Sequence, residues 1–228
     1  MINTHALKSL WREWRGFIVF IIMLIIVRGA VADWYAVPTG SMKPTIIEGD
    51  RVFVNKVAYG LRVPFSETVI TLWAGPERGE IVVFYSPEDG TRLIKRVIGL
   101  PGDTLEIRDN KLMINGTQIE YSPANKDYPV TIWQNEINRD VIDEQIGSHR
   151  HPIALTPANI LIEDFGPVKV PDNHYFMMGD NRHNSADSRI IGFVERSRIL
   201  GRASHVVLSL DYDNYYMPRK DRTLTELP

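Results

Sequence analysis

Residues 92–103 read Arg92-Leu93-Ile94-Lys95-Arg96-Val97-Ile98-Gly99-Leu100-Pro101-Gly102-Asp103. Aliphatic residues bounded by a Pro-Gly turn predict a short β-strand rather than a helix. Alternation puts Leu93, Lys95 and Val97 on one face and Ile94, Arg96 and Ile98 on the other. One of two adjacent cations therefore shares a face with apolar neighbours. A buried lysine can shed its proton, because desolvation penalises the charged form, whereas an arginine effectively cannot. Lys95 is thus a candidate general base. It also reads as an edge-strand lysine that discourages aggregation.

Runs of the same kind lie on either side: Arg51–Val54, Ile81–Tyr85, Tyr175–Met178 and Ala203–Leu208. Leu105-Glu106-Ile107 and Leu112-Met113-Ile114 flank Asp109-Asn110, and Asn115-Gly116 leads into Gln118-Ile119-Glu120. Asn-Gly between such runs is a strong signal for a type I′ hairpin. The expected fold is mostly β, with a main β domain from 34–105 and 171–212. Residues 121–170 are polar, with five prolines and little sustained alternation. They read as long loops within an inserted subdomain covering 106–170. The polar tail, 213–228, is expected to fray.

A chain of 228 residues with 44% hydrophobic and 24% charged residues has ordinary globular composition. The formal net charge of −2 argues against a general nucleic-acid binder. With no cysteine, disulfides, zinc–thiolate sites, iron–sulfur clusters and thiol catalysis are excluded together. Residues 1–32 carry a net +3 and the remaining 196 carry −5. Within the basic head, Phe17–Val27 is an unbroken apolar run of eleven, flanked by Trp11, Trp14, Trp34 and Tyr35. Two readings stand. One is a single transmembrane anchor in 1–33, with Arg28 snorkelling and the aromatic residues at the interfaces. The other is a cleavable signal with Ala30-Val31-Ala32 as its A-x-A site. Either way Lys8, Arg12 and Arg15 stay cytoplasmic and the body is exported.

Two polar segments exceed what a fold requires. In Pro38-Thr39-Gly40-Ser41-Met42-Lys43-Pro44-Thr45, Gly40 and two flanking prolines would present Ser41 on a stiff turn. The same segment also reads as a linker. Met178 to Arg189 packs Asp180, Asn181, Arg182, His183, Asn184, Ser185, Asp187 and Arg189 between apolar runs. It suits a hydrogen-bond network behind a site, or a calcium loop through Asp180, Asn184 and Asp187, which its two arginines disfavour. His149-Arg150-His151 is an isolated H-x-H in a loop. No spacing supports a metal or nucleotide site, so no cofactor or metal is expected.

Taken in order, these segments resemble the bacterial signal peptidase I family of S26 serine peptidases. The resemblance rests on the apolar head and Arg28, Thr39 to Thr45, Gly49-Asp50, and Arg78 to Phe84. It continues through Ile94 to Asp103, Gly179 to Arg189 and Gly192-Phe193-Val194. His183, where the family often has Asp, and Glu195, where Pro is frequent, depart from the pattern. The resemblance implies a membrane-anchored endopeptidase that removes signal peptides from exported preproteins, with Ser41 as nucleophile and Lys95 as neutral base. Thr39 would join the Ser41 backbone N–H in the oxyanion hole, and Ser185 would orient the base. Asp180, Asp187 and Arg189 would form the supporting network. Val37, Met42, Ile46 and Ile94 would line a groove for small side chains at substrate positions −1 and −3. The implied location is a single pass in the bacterial inner membrane, body on the exported face and export machinery nearby. Alternatives are a relative dedicated to one pilin or conjugation protein, and an exported β-domain binding module without catalysis.

Overall fold

The computed structural model describes residues 4–66, 68–125, 140–156 and 164–228. Helix α1 (Thr4–Ala30) leads into β1 (Ala32–Ala36), β2 (Asp50–Asn55), a hairpin of β3 (Gly60–Arg62) and β4 (Val69–Leu72), β5 (Ile81–Tyr85) and β6 (Arg92–Gly99). Then come β7 (Thr104–Arg108), β8 (Lys111–Ile114), β9 (Thr117–Gln118), β10 (Glu120–Pro123), β11 (Asp140–Ile146), β12 (His149–Leu155) and β13 (Phe165–Lys169). The chain returns through β14 (His174–Met178), the short helix α2 (Ser188–Ile191) and β15 (Val194–Glu195). It finishes with β16 (Ile199–Asp211), β17 (Met217–Pro218) and β18 (Thr225–Glu226).

The molecule is mostly β, as the short alternating runs require. Among the described residues the main sheet is ordered β1-β2-β16-β5-β6-β14-β15, with β17 and β18 both joined to β16. Strand β16 is longer than its apolar run: it pairs with β5 over Ile199–Ala203 on one edge and with β2 over Arg202–Ser209 on the other, with bulges in both ladders. Asp109 (φ 48°), Asn110 (φ 62°), Asn115 (φ 52°) and Gly116 (φ 79°) all adopt left-handed backbone. Consecutive positive φ values are what two-residue I′ hairpins demand, so β7–β8 and β8–β9 turn where the sequence marks them.

Three apolar clusters fill the fold. One lies beneath the Ser41 segment (Met42, Ile46, Val52, Val54, Ile81). A second joins β6 and β14 to β7 and β8 (Ile98, Leu105, Leu112, Phe176). The third packs β5, β6 and β14 from the opposite side (Phe84, Val97, Tyr175, Met177). Because both faces of β6 are covered, Lys95 (2% exposed) and Arg96 (0%) are both buried.

Helix α1 extends well upstream of the apolar run, through Arg12, Glu13 and Arg15. Among the described residues no helix is long and apolar enough to cross a membrane. The unbroken apolar stretch is Phe17–Val27, closed by Arg15 on one side and Arg28 on the other. Lys56 ties the end of α1 to the body: its ammonium donates to the carbonyls of Arg28 (3.1 Å) and Gly29 (3.3 Å) and to Asp33 (3.1 Å).

Two readings of irregular structure are corrected. The region around 140–155 is the paired hairpin β11–β12, joined to β10 in its own three-stranded sheet, and His151 lies in a strand. Its pattern hid because the buried positions include Asp143, Glu144 and His151, so inward residues are not apolar. Residues 126–139 and 157–163 of the expected loops lie outside the described residues. The tail does not fray. Arg222 is buried and donates to Asp50 Oδ2 at 2.6 Å, and β18 pairs with β16.

Candidate active site

Lys95 Nζ donates a 2.6 Å hydrogen bond to Ser41 Oγ and a 3.0 Å bond to the Ile94 carbonyl. Strand β6 fixes the lysine, since β5 pairs with it on one edge and β14 on the other. Ser41 heads a compact turn closed by Lys43 N–H to Gly40 O (3.1 Å) and Ile46 N–H to Met42 O (2.9 Å). Burial removes the ammonium's hydration and pushes Lys95 down to about 8, from 10.5. The carboxylates of Asp187 and Asp180 pull in the opposite direction and lose. The amine is therefore partly neutral near physiological pH, within reach of a hydroxyl proton. A serine with such a base can act as a nucleophile.

The turn and the strand are held together by the 179–189 loop. Asn181 N–H donates to Ser41 O (3.1 Å) and its side-chain amide to Gly40 O (3.0 Å). Asp180 accepts from Arg96 Nε at 2.9 Å and Nη2 at 2.8 Å, and also from the Thr45 hydroxyl. Asp187 accepts from Gly179 N–H (3.0 Å) and from Arg189 Nε (2.8 Å) and Nη2 (2.7 Å). Gly179 is required by close approach: a Cβ there would sit 2.4 Å from the Ser41 carbonyl oxygen and 2.3 Å from Ser185 Oγ.

The family described as signal peptidase, peptidase S26, matches residues 11–208 of this chain. The chain belongs to that family. Among its relatives, signal peptidase I of Pseudomonas fluorescens is 34% identical, covering 86% of this chain and 71% of that protein. Signal peptidase I of Buchnera aphidicola subsp. Schizaphis graminum is 35% identical, covering 91% and 75%. Signal peptidase I of Rickettsia typhi is 34% identical, covering 91% and 83%.

The remaining expected residues of this S26 peptidase are distributed unevenly around the pair. Thr39 is exposed, two positions before Ser41. Ser185 is buried beside Gly179, but its hydroxyl has no hydrogen-bond partner among the described residues, so the expected bond to Lys95 is not formed. Val37 (3% exposed), Met42 (0%) and Ile46 (0%) are core residues, while Ile94 is half-buried against them. The first three back the wall near Ser41 instead of opening onto it.

The calcium reading of the loop fails on the same contacts, because Asp180 and Asp187 are already claimed by Arg96 and Arg189. The His183 ring contacts the Thr156 backbone and Asn110 Oδ1 and makes no bond to Ser41 or Lys95 among the described residues. Sequence reasoning missed Arg96, Thr45, Glu144 and His151 as parts of the support. Arg96 carried a signal, since it follows Lys95 on a strand too apolar for a solvated cation. Thr45 and Glu144 had none, because their partners Asp180 and Arg182 lie 135 and 38 residues away.

Proposed function

We propose that the protein is a serine endopeptidase that removes N-terminal signal peptides from exported preproteins with Ser41 as nucleophile and Lys95 as general base. The observation that carries the reading is the 2.6 Å contact between a nearly inaccessible lysine amine and the hydroxyl of a half-buried serine. Neutral Lys95 takes the Ser41 proton as the hydroxyl attacks the scissile carbonyl. The resulting ammonium returns a proton to the departing amine, leaving an acyl-enzyme that water hydrolyses by the same base. The Ser41 N–H and the Thr39 hydroxyl stabilise the oxyanion. Asp180, Asp187 and Arg189 hold the loop against the Ser41 turn. Ser185 fixes the Lys95 environment by packing beside Gly179.

Ile94, with Val37, Met42 and Ile46 behind it, forms an apolar wall whose interior is already filled. Such a wall favours small side chains at substrate positions −1 and −3. Helix α1 anchors the enzyme in the cytoplasmic membrane, body on the exported face and near the export machinery. Its apolar residues Phe17 to Val27, all but Ile18 exposed, the exposed Trp11, Trp14 and Trp34, and the basic Arg12 and Arg15 support this. Arg28 lies at the edge of the run, where its long stem reaches headgroups while the helix sinks.

Incubating the protein in vesicles with a preprotein bearing an A-x-A site tests the reading: wild type releases the mature chain and Ser41→Ala does not. Processing of a single pilin-like substrate and no ordinary preprotein would narrow the function to a dedicated relative. Absence of any cleavage would leave a binding module.

A further inference from the structure

In the β11–β12 hairpin, Glu144 faces His151 across the ladder, and both are fully buried. Glu144 is gripped by both Arg182 Nη groups, one at 2.8 Å. The His151 Nε2 atom lies 3.4 Å from Glu144 Oε2 and 3.9 Å from Asp180 Oδ1. Neither ring nitrogen makes a hydrogen bond of good geometry among the described residues. A buried imidazole without such bonds costs stability, so packing alone does not account for it.

The same hairpin is joined to the loop through the backbone. Ala154 N–H donates to Asp180 O at 2.8 Å and Arg182 N–H to Ala154 O at 3.0 Å, a parallel bridge. Two ion pairs meet at this junction: Arg182–Glu144, and Arg96–Asp180, which adjoins Lys95. Their charges balance only while the imidazole between them is neutral. Burial drives His151 away from its charged form, and Arg96 opposes a third cation there. The Nε2 edge of the ring lies between the Glu144 and Asp180 carboxylates, 3.4 and 3.9 Å from them, and so separates the two ion pairs.

We propose that the β11–β12 hairpin is a positioning element for the catalytic loop, with His151 as the neutral spacer that keeps Asp180 on Arg96 and hence Lys95 in line with Ser41. The proposal rests on the Ser41/Lys95 reading. It gives the inserted region a part in turnover that its distance along the chain conceals.

The test is steady-state cleavage of a preprotein by wild type, His151→Leu, His151→Gln, Glu144→Gln and Ser41→Ala, with melting temperature followed for each. His151→Leu keeps bulk but removes the N–H, and kcat should fall about tenfold with KM unchanged, as for a small misplacement of reacting groups. His151→Gln restores an N–H donor and should recover most of kcat. Glu144→Gln, which releases Arg182, should lower kcat in the same way, and it decides the matter if the leucine variant does not fold. Full kcat in both His151→Leu and Glu144→Gln would overturn the proposal. Equal loss in the Leu and Gln variants would also overturn it, as would a loss that vanishes at lower temperature in step with melting. Activity surviving in Ser41→Ala would instead sink the dyad, whatever His151 does.

Discussion

Lys95 Nζ and Ser41 Oγ, 54 positions apart in the chain, stand 2.6 Å from each other with the lysine inside the protein and 2% exposed. On the proposed dyad, each should be ineffective alone. Ser41→Ala and Lys95→Ala should each reduce cleavage by at least the 10²–10⁴-fold typical of a general-base step, and the double variant should lose little more. Lys95→Arg should be equally inactive, because a guanidinium does not become neutral. Ser185→Ala, lacking any bond to the amine, should retain measurable turnover. Preprotein cleavage at fixed enzyme concentration checks all five variants.

Activity should follow the neutral amine. With Lys95 held down to about 8 by burial, kcat/KM should rise with pH through about 8 and level off above it. A limb that continues to climb past pH 10 would mean the titrating base is an unperturbed lysine and not Lys95.

The same burial has a thermodynamic signature. The folded protein binds the Lys95 proton less tightly than the unfolded chain, whose value stays near 10.5. Below about pH 8 both states are protonated and the folded state bears the full penalty, roughly 3 kcal/mol at most. Between about 8 and 10.5 the unfolded chain holds more protons, so stability rises with pH. Lys95→Met should therefore be more stable than wild type at pH 7 in urea denaturation, and the advantage should shrink through that window. An advantage that grows with pH would contradict it.

The Arg96–Asp180 pair, both side chains at 1% exposure or less, gives a third kind of outcome. Arg96→Met leaves Asp180 as an uncompensated buried charge and should cost about 3–5 kcal/mol. Arg96→Met combined with Asp180→Leu should recover most of that stability without recovering turnover. The single-variant deficit should narrow in acid, once Asp180 is protonated. Chemical denaturation at several pH values, paired with a cleavage assay, reads both effects.

Much of this was legible from residue order. Ile81–Tyr85 is apolar and bounded by turn residues, and it is β5 with the same limits. Asn115-Gly116 dictates its hairpin through backbone sterics alone. Ser41, Lys95 and the 179–189 loop were visible as polar groups embedded where a fold needs none. What stayed hidden was the identity of buried polar partners. The β11–β12 hairpin points Glu144 and His151 inward, so its alternation reads as a loop until Arg182 and Asp180 are brought against it. The groove assignment was coarser than the structure for the opposite reason: Met42 and Ile46 are apolar near Ser41, but apolar residues on a tight turn are drawn into the core.

The loop that carries Asp180 and Asn181 reaches back across 141 positions to the Gly40 carbonyl. Synthesis runs in one direction, so the serine and the lysine both leave the ribosome long before the segment that clamps them. A nascent chain holding only the first half lacks the β14 partner of β6 and the Asn181 bonds that brace the Ser41 turn. On the proposed dyad, hydrolytic power should arrive only once the loop after β14 has been made.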